Sequence, residues 1–185
     1  MAHGGCSFKD CRGQVGEDMA ARIILKERES KPLIDELKKL DGYQGLSHKS
    51  RVEIQSAKGV EVIFVDGHPV ALRKGEHLIP TLINNEVIAT LPKVIVDMGA
   101  VPHIVGGADI MAPGIRKVQG SFPVGQLLVV VDEKHGKSLA LGRALHDAAS
   151  ISKIGKGKVI QNLHYVGDAA WEIIKVFSKT SRVGT

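Results

Sequence analysis

Three residues near the N-terminus, His3, Cys6 and Cys11, are of the types that bind metal ions. Structural zinc sites use four such ligands, and no second pair of ligands lies nearby in the sequence. We therefore expect no metal ion. Because the rest of the chain has no cysteine, a disulfide-built secreted fold is excluded for it, and a reducing cytoplasm is the expected location.

Catalytic chemistry would need a nucleophile, a general base or a metal ion held in a cleft. The histidines show no HxxxH or HxE spacing, and the acidic residues are scattered through predicted turns and exposed faces. Asp97 and Asp109 flank a predicted helix–strand junction, where Asp97 is interpreted as a helix N-cap. The sequence contains no Walker loop, and no G-x-G-x-x-G motif opens a helix after a strand. We therefore expect a protein that is not an enzyme and that binds no cofactor.

Basic residues surround a glycine-rich stretch in the second half of the chain. Gly106 and Gly107 lack side chains where a predicted helix gives way to a strand, so another backbone can approach closely. The Pro113-Gly114 bend would display Arg116 and Lys117. The formal net charge of +5 and the isoelectric point near 9.2 fit a protein that contacts polyanions. We predict an RNA-binding site made of Gly106, Gly107, Ala108, Pro113, Gly114, Arg116, Lys117, Arg143, Lys156 and Lys158.

Simpler interpretations of the same residues stay open on spacing alone. The two glycines could form an ordinary turn, and single lysines are common on solvated surfaces. His103 lies in a mainly apolar stretch and is interpreted as a structural histidine, and Met111 as a core residue.

The first half of the chain predicts one helix packed on a small antiparallel sheet. Ser30 is the expected N-cap, Pro32 lies just inside the helix, and apolar positions at helical spacing continue to Leu40. Asp66-Gly67 between two apolar runs predicts a hairpin turn. Strands are predicted at 22–26, 51–55, 60–65 and 68–73.

The second half predicts a compact β-barrel decorated by small helices, so the fold class is α+β. A short helix is expected at 98–105 and an amphipathic helix at 171–177, with Trp171, Ile174 and Phe177 on one face. Strands are predicted at 93–97, 109–111, 126–131, 138–144 and 158–162. The expected organisation is a flexible extension at 1–18, a first domain at 19–92, a second at 93–168, and a helix with a tail at 169–185.

Four stretches of the second domain carry a family resemblance. They are Val96-Asp97-Met98-Gly99-Ala100-Val101, Gly106-Gly107-Ala108-Asp109-Ile110-Met111-Ala112-Pro113-Gly114-Ile115, Gly142-Arg143-Ala144 and Gly155-Lys156-Gly157-Lys158-Val159. On these, residues 94–165 resemble a PUA domain, the RNA-binding module named after pseudouridine synthases and archaeosine transglycosylases. The resemblance implies a PUA-type pseudo-barrel, with the RNA-facing surface between the helix after its first strand and the strand after the glycines.

The order of elements from Ile23 to Trp171 is similar to the malignant-T-cell-amplified-sequence proteins and to the N-terminal part of ligatin. Ile79-Pro80-Thr81-Leu82 and Asn162-Leu163-His164-Tyr165 belong to that pattern, whereas residues 1–18 have no counterpart in it. The resemblance implies a role in translation initiation, reinitiation or recycling, with the small ribosomal subunit or a tRNA acceptor end as partner. It also implies a separate partner protein with a SUI1-type domain.

Two other functions remain open at this point. The chain could be an accessory RNA-binding subunit of a tRNA or rRNA modification enzyme, or a protein-interaction adaptor. A membrane role is not expected, because no apolar run approaches the roughly 18 residues that span a bilayer.

Overall fold

The computed structural model describes residues 21–180 of the chain, with side chains as far as Val176. The predicted extension at 1–18 and the end of the predicted tail lie outside the described residues, as does the side chain of Phe177. Two sheets organise the described part, one for each predicted domain. In it, no helix is both long and apolar enough to cross a membrane.

The first sheet has five antiparallel strands in chain order. Asp66 and Gly67 both have positive φ, 50° and 83°, which is the backbone of a tight two-residue hairpin turn. The predicted hairpin is therefore present. The strands are β1 (Ile23–Ile24), β2 (Val52–Ala57), β3 (Val60–Val65), β4 (His68–Lys74) and β5 (His77–Pro80).

The first helix, α1 (Glu27–Leu37), begins earlier than predicted. Ser30 is not its N-cap but a buried residue inside it, and Pro32 also lies within the helix. The start is fixed instead at Lys26, whose backbone N–H donates to the Glu29 carboxylate at 3.1 Å. Buried Leu33, Ile34 and Leu37 pack α1 on the sheet.

A second helix, α2 (Asn85–Thr90), was not predicted. Asn84 caps it by accepting the backbone N–H of Val87 at 3.5 Å, and the Asn84 amide also donates to the hydroxyl of Tyr43 at 3.1 Å. The first domain therefore has two helices instead of the predicted one.

The second sheet has six strands and curls into a half-barrel, as the predicted α+β class with a PUA-type pseudo-barrel requires. Its strands are β6 (Lys93–Val96), β7 (Ile110–Met111), β8 (Ile115–Gln119), β9 (Leu127–Asp132), β10 (Ser138–Ala144) and β11 (Lys158–Tyr165), in the spatial order β7-β11-β10-β9-β6-β8. Only β6 and β9 pair in parallel among these neighbours. The helices α3 (Val101–Val105) and α4 (Ala148–Ile151) cover the core, and a 3₁₀ turn at Ala112–Gly114 joins β7 to β8.

The last helix, α5 (Ala169–Thr180), follows the second domain in sequence but packs on the first sheet. Its buried Ala170, Ile173 and Ile174 join one apolar cluster with β3 residues such as Val62 and Phe64. A second cluster brings together Leu82 and Ile88 of the first domain with Val129, Val131 and Leu141 of the second sheet. Leu163 of β11 also belongs to the first of these clusters, so both combine residues of the two domains and form a shared apolar interface.

Candidate nucleic-acid interface

A cleft of about 570 Å³ opens between α3 and the segment that contains β7 and the 3₁₀ turn. This is where the resemblance placed the RNA-facing surface. Its walls are mainly apolar, with carboxylates and one lysine at the margin. The lining residues are Asp97, Ala100, His103, Ile104, Ala108, Asp109, Ile110, Met111, Pro113, Gly114 and Lys158.

Two lining residues differ from their sequence interpretation. His103 is exposed and faces the cleft, although we interpreted it as a structural histidine. Met111 is 50% exposed instead of belonging to the core. Strand β7 is only two residues long and lies at the sheet edge, so one of its two side chains, Ile110, enters the core and the other reaches the cleft.

The two predicted glycines end α3 and do not line the cleft. The Gly106 N–H donates to the carbonyls of Pro102 and His103, both at 3.1 Å, and the Gly107 N–H to that of Ile104 at 3.0 Å. Gly107 has φ of 91°, and a Cβ there would lie 2.7 Å from the hydroxyl oxygen of Tyr165. The space beside Gly107 that we expected RNA to use is therefore filled by Tyr165.

Asn162, on β11, holds the loop that contains Gly106 and Gly107 against the sheet; we call this segment, from Ile104 to Asp109, the glycine loop. The sequence analysis assigned Asn162 no such role. Its Nδ2 donates to the carbonyls of Ile104 and Ala108, each at 3.0 Å, and its backbone N–H donates to Asp109 Oδ1 at 2.8 Å. Asn162 Oδ1 is buried without a hydrogen-bond partner among the described residues. Since three bonds from one residue fix the loop, Asn162 positions one wall of the cleft.

Lys158, which lines the cleft, and Arg116, on β8, are paired with carboxylates of the cleft. Lys158 Nζ lies 3.1 Å from Asp109 Oδ2, on the same wall as Asn162. On the other side, Arg116 Nη2 lies 3.4 Å from Asp97 Oδ2, and Arg116 Nε lies 3.7 Å from Glu133 Oε2. Asp97 also caps the turn before α3 by accepting the Ala100 N–H at 2.8 Å, close to its predicted role.

Four lysines beside the cleft form no ion pair within the part of the chain that the structure describes. We call them the flanking lysines: Lys134, Lys137, Lys153 and Lys156. The β9–β10 turn that carries the first two reaches α3 through Glu133, which accepts the Met98 N–H at 3.2 Å. The loop that carries the other two reaches the 3₁₀ turn, since the Gly157 carbonyl accepts the Ala112 N–H at 2.9 Å. Two loops in contact with elements of the cleft therefore each carry two exposed lysines.

The predicted site residues are only partly brought together. Ala108, Pro113, Gly114 and Lys158 line the cleft. Arg116 adjoins it through Asp97, Gly106 and Gly107 lie behind its wall, and Lys117 and Lys156 are exposed nearby. Arg143 is elsewhere: its Nη2 lies 3.2 Å from Nδ1 of His77 on β5, so it faces the first domain.

Asp168, in the turn between β11 and α5, anchors the segment that carries Tyr165. Its carboxylate accepts the backbone N–H groups of Tyr165 and Trp171 and faces Nδ1 of the buried His164 at 2.7 Å. Burial raises the pKa of Asp168, but the bonds from His164, Trp171 and Tyr165 outweigh it and leave that pKa below its usual range. The charged form is therefore favoured in the fold.

Residues 21–180 contain no group of three or more His, Cys, Asp or Glu side chains that could hold a metal ion. His3, Cys6 and Cys11, the residues considered for metal binding, lie outside the described residues.

Two domain families match the chain, one over the part that forms each sheet. A PUA domain matches residues 92–166, and a domain of unknown function, DUF1947, matches residues 21–84. The uncharacterized protein MJ1432 of Methanocaldococcus jannaschii is 40% identical over 126 residues, which are 66% of this chain and 76% of that protein. The chain belongs to the family of PUA-domain proteins with a DUF1947 domain. In this chain, the cleft and the flanking lysines both lie in the PUA domain.

Relatives of this PUA protein include Translation machinery-associated protein 20 of Saccharomyces cerevisiae, 26% identical over 168 residues, or 86% of this chain and 88% of that one. Malignant T-cell-amplified sequence 1-A of Xenopus laevis is 33% identical over 119 residues, 62% of this chain and 66% of that one. Among solved structures, the hypothetical protein PH0734.1 of Pyrococcus horikoshii OT3 superposes with a TM-score of 0.66 at 31% identity, covering 83% of this chain and 99% of that one. The resemblance seen in the sequence is confirmed.

Proposed function

We propose that this PUA protein binds RNA with the cleft and the flanking lysines and acts in translation without being an enzyme. The partner is the small ribosomal subunit or a tRNA acceptor end, and the location is the cytoplasm. The observation that carries the proposal is the apolar cleft with the flanking lysines on two adjoining loops, in a chain whose two domains are matched along nearly their whole length by Translation machinery-associated protein 20.

The charge arrangement supports RNA as the ligand. The flanking lysines are exposed and have no carboxylate partner within residues 21–180, so each can contact a phosphate and release a condensed counterion. The apolar lining offers contact to unstacked bases or sugars, through which single-stranded RNA is commonly recognised. Phosphate contacts would supply affinity and position, and the cleft would supply selectivity.

A non-catalytic role fits the chemistry of the lining. Its titratable groups are Asp97, His103, Asp109 and Lys158, and three of them already serve the fold or an ion pair. The shared apolar interface would hold the first domain at a fixed position relative to bound RNA. That suits an adaptor between RNA and a protein, and we propose a separate SUI1-type protein as the partner of the first domain.

Sedimentation with purified small ribosomal subunits tests the proposal. The wild-type chain should move with the subunit, and Lys153→Ala combined with Lys156→Ala should reduce the bound fraction at least threefold. Lys38→Ala combined with Lys39→Ala, at the end of α1, removes the same charge far from the cleft and should have little effect. Binding to free tRNA without subunit association would favour the accessory-subunit function, and binding to neither would contradict the proposal.

A further inference from the structure

The cleft carries nearly balanced charge although the surface beside it is basic. Lys158 is held by Asp109 and Arg116 by Asp97, and both carboxylates line the cleft. The flanking lysines have no such partner within residues 21–180. A phosphate is therefore attracted to the loops that carry the flanking lysines more strongly than to the interior of the cleft.

Backbone hydrogen bonds hold both carboxylates in place. Asp97 Oδ1 accepts the Ala100 N–H, and Asp109 Oδ1 accepts the Asn162 N–H, each at 2.8 Å. Neither side chain can rotate away from an approaching phosphate without breaking such a bond. Their side chains are 21% and 35% exposed, so solvent screens them less than fully exposed acids. A phosphate inside the cleft would lie close to a fixed like charge and would have to displace an existing ion pair.

We propose that Asp97 and Asp109 are specificity-determining residues that exclude backbone phosphates from the cleft and reserve it for an uncharged base of the RNA. This inference rests on the proposed function. It separates two tasks that the sequence had assigned to one surface: phosphates are bound by the flanking lysines, and the apolar wall of Ala100, Ile104 and Met111 contacts the uncharged group.

The test compares two fluorescent strands of equal length, one a single-stranded RNA and the other an abasic strand that keeps the phosphates but has no bases. Wild type should bind the RNA more tightly than the abasic strand. Asp109→Asn and Asp97→Asn keep the oxygen that accepts the backbone N–H but lose the charge. Each should raise affinity for the abasic strand about tenfold and affinity for the RNA less than threefold, and steepen the salt dependence of abasic binding by about 0.7 log–log units.

Two controls separate this effect from general electrostatics. Asp41→Asn makes the same charge change at an exposed turn after α1, and should raise both affinities equally and less than twofold. In Asp109→Asn, Lys158 loses its carboxylate partner and becomes free to bind a phosphate. Adding Lys158→Gln removes this cation and should return the affinity for the abasic strand close to the wild-type value.

Circular dichroism should first show that both aspartate variants are folded. If both then keep the wild-type ratio of RNA affinity to abasic-strand affinity, the inference is overturned and the proposed function stands. A large loss of RNA affinity would also overturn it, because the carboxylates would then be direct contacts to the base. Absence of wild-type binding to both strands would refute the proposed function itself, and the inference with it.

Discussion

The hydroxyl of Tyr165 occupies the space beside Gly107, where a Cβ atom would lie 2.7 Å from its oxygen and 3.0 Å from Cζ. The positive φ of Gly107 and this close approach favour glycine at this position independently of any ligand. Tyr165 in turn is held at its backbone N–H by Asp168. The glycine loop, Tyr165 and Asp168 therefore form one structural unit behind the wall of the cleft.

Gly107→Ala should destabilise the protein more than Gly120→Ala. Both glycines have nearly the same φ, 91° and 92°, so the backbone strain is matched. A Cβ at position 120 meets Pro92 only at 3.5 Å, an ordinary contact, whereas at 107 it overlaps Tyr165. We expect Gly107→Ala to cost about 1–3 kcal/mol more in unfolding free energy, measured by urea denaturation. Equal losses of unfolding free energy in the two variants would mean that the Tyr165 side chain moves away from the new Cβ without destabilising the protein.

Asn162→Ala should destabilise the fold by about 1–3 kcal/mol, because the carbonyls of Ile104 and Ala108 lose their donor. Gln161→Ala, at an exposed neighbouring position on β11, should change unfolding free energy by no more than about 0.5 kcal/mol. Urea denaturation of both variants checks the difference. A stable Asn162→Ala protein would show that the glycine loop holds its position by other contacts.

The hairpin at Asp66-Gly67 was predictable because its signal is local, whereas strand β5 was not predicted. Asp66-Gly67 and the alternation on each side of it lie within a few residues. Helix α2 was not predicted because its six residues are too few to show apolar positions repeating at helical spacing.

The cleft depends on contacts between residues that are distant in the sequence. Asn162 contacts residues 54 and 58 positions away, and no local sequence pattern reveals such contacts. The same holds for Arg143, whose bond to His77 spans 66 positions and directs it away from the cleft.

The charge on Asp168 should make stability depend on pH in the acid range. Its pKa is lowered in the fold, so its contribution is present above the unfolded value of about 3.9 and is lost as pH falls through the folded pKa. Asp168→Asn should cost about 1.5–3 kcal/mol at pH 7. The difference between wild type and variant should shrink below about pH 4. Urea denaturation between pH 3 and pH 7 measures it, and a difference that stays constant down to pH 3 would contradict the lowered pKa.

Arg143→Ala should leave RNA affinity unchanged and weaken the interface between the domains. Its guanidinium contacts His77 and lies outside the cleft lining. Loss of that contact should lower the melting temperature, while the equilibrium constant for a short RNA stays within twofold of the wild type when both proteins are folded. A tenfold loss of RNA affinity would place Arg143 in the RNA contact surface, as the sequence had predicted.

The salt dependence of RNA binding tests the central claim most directly. For wild type, log affinity should fall linearly with log salt concentration, and Lys153→Ala combined with Lys156→Ala should make the slope shallower by about 1–2 units, at roughly 0.7–0.9 for each phosphate contact. Lys38→Ala combined with Lys39→Ala should leave the slope unchanged. The account predicts that only the pair beside the cleft alters the slope; equal effects of both pairs, or no effect of either, would contradict it.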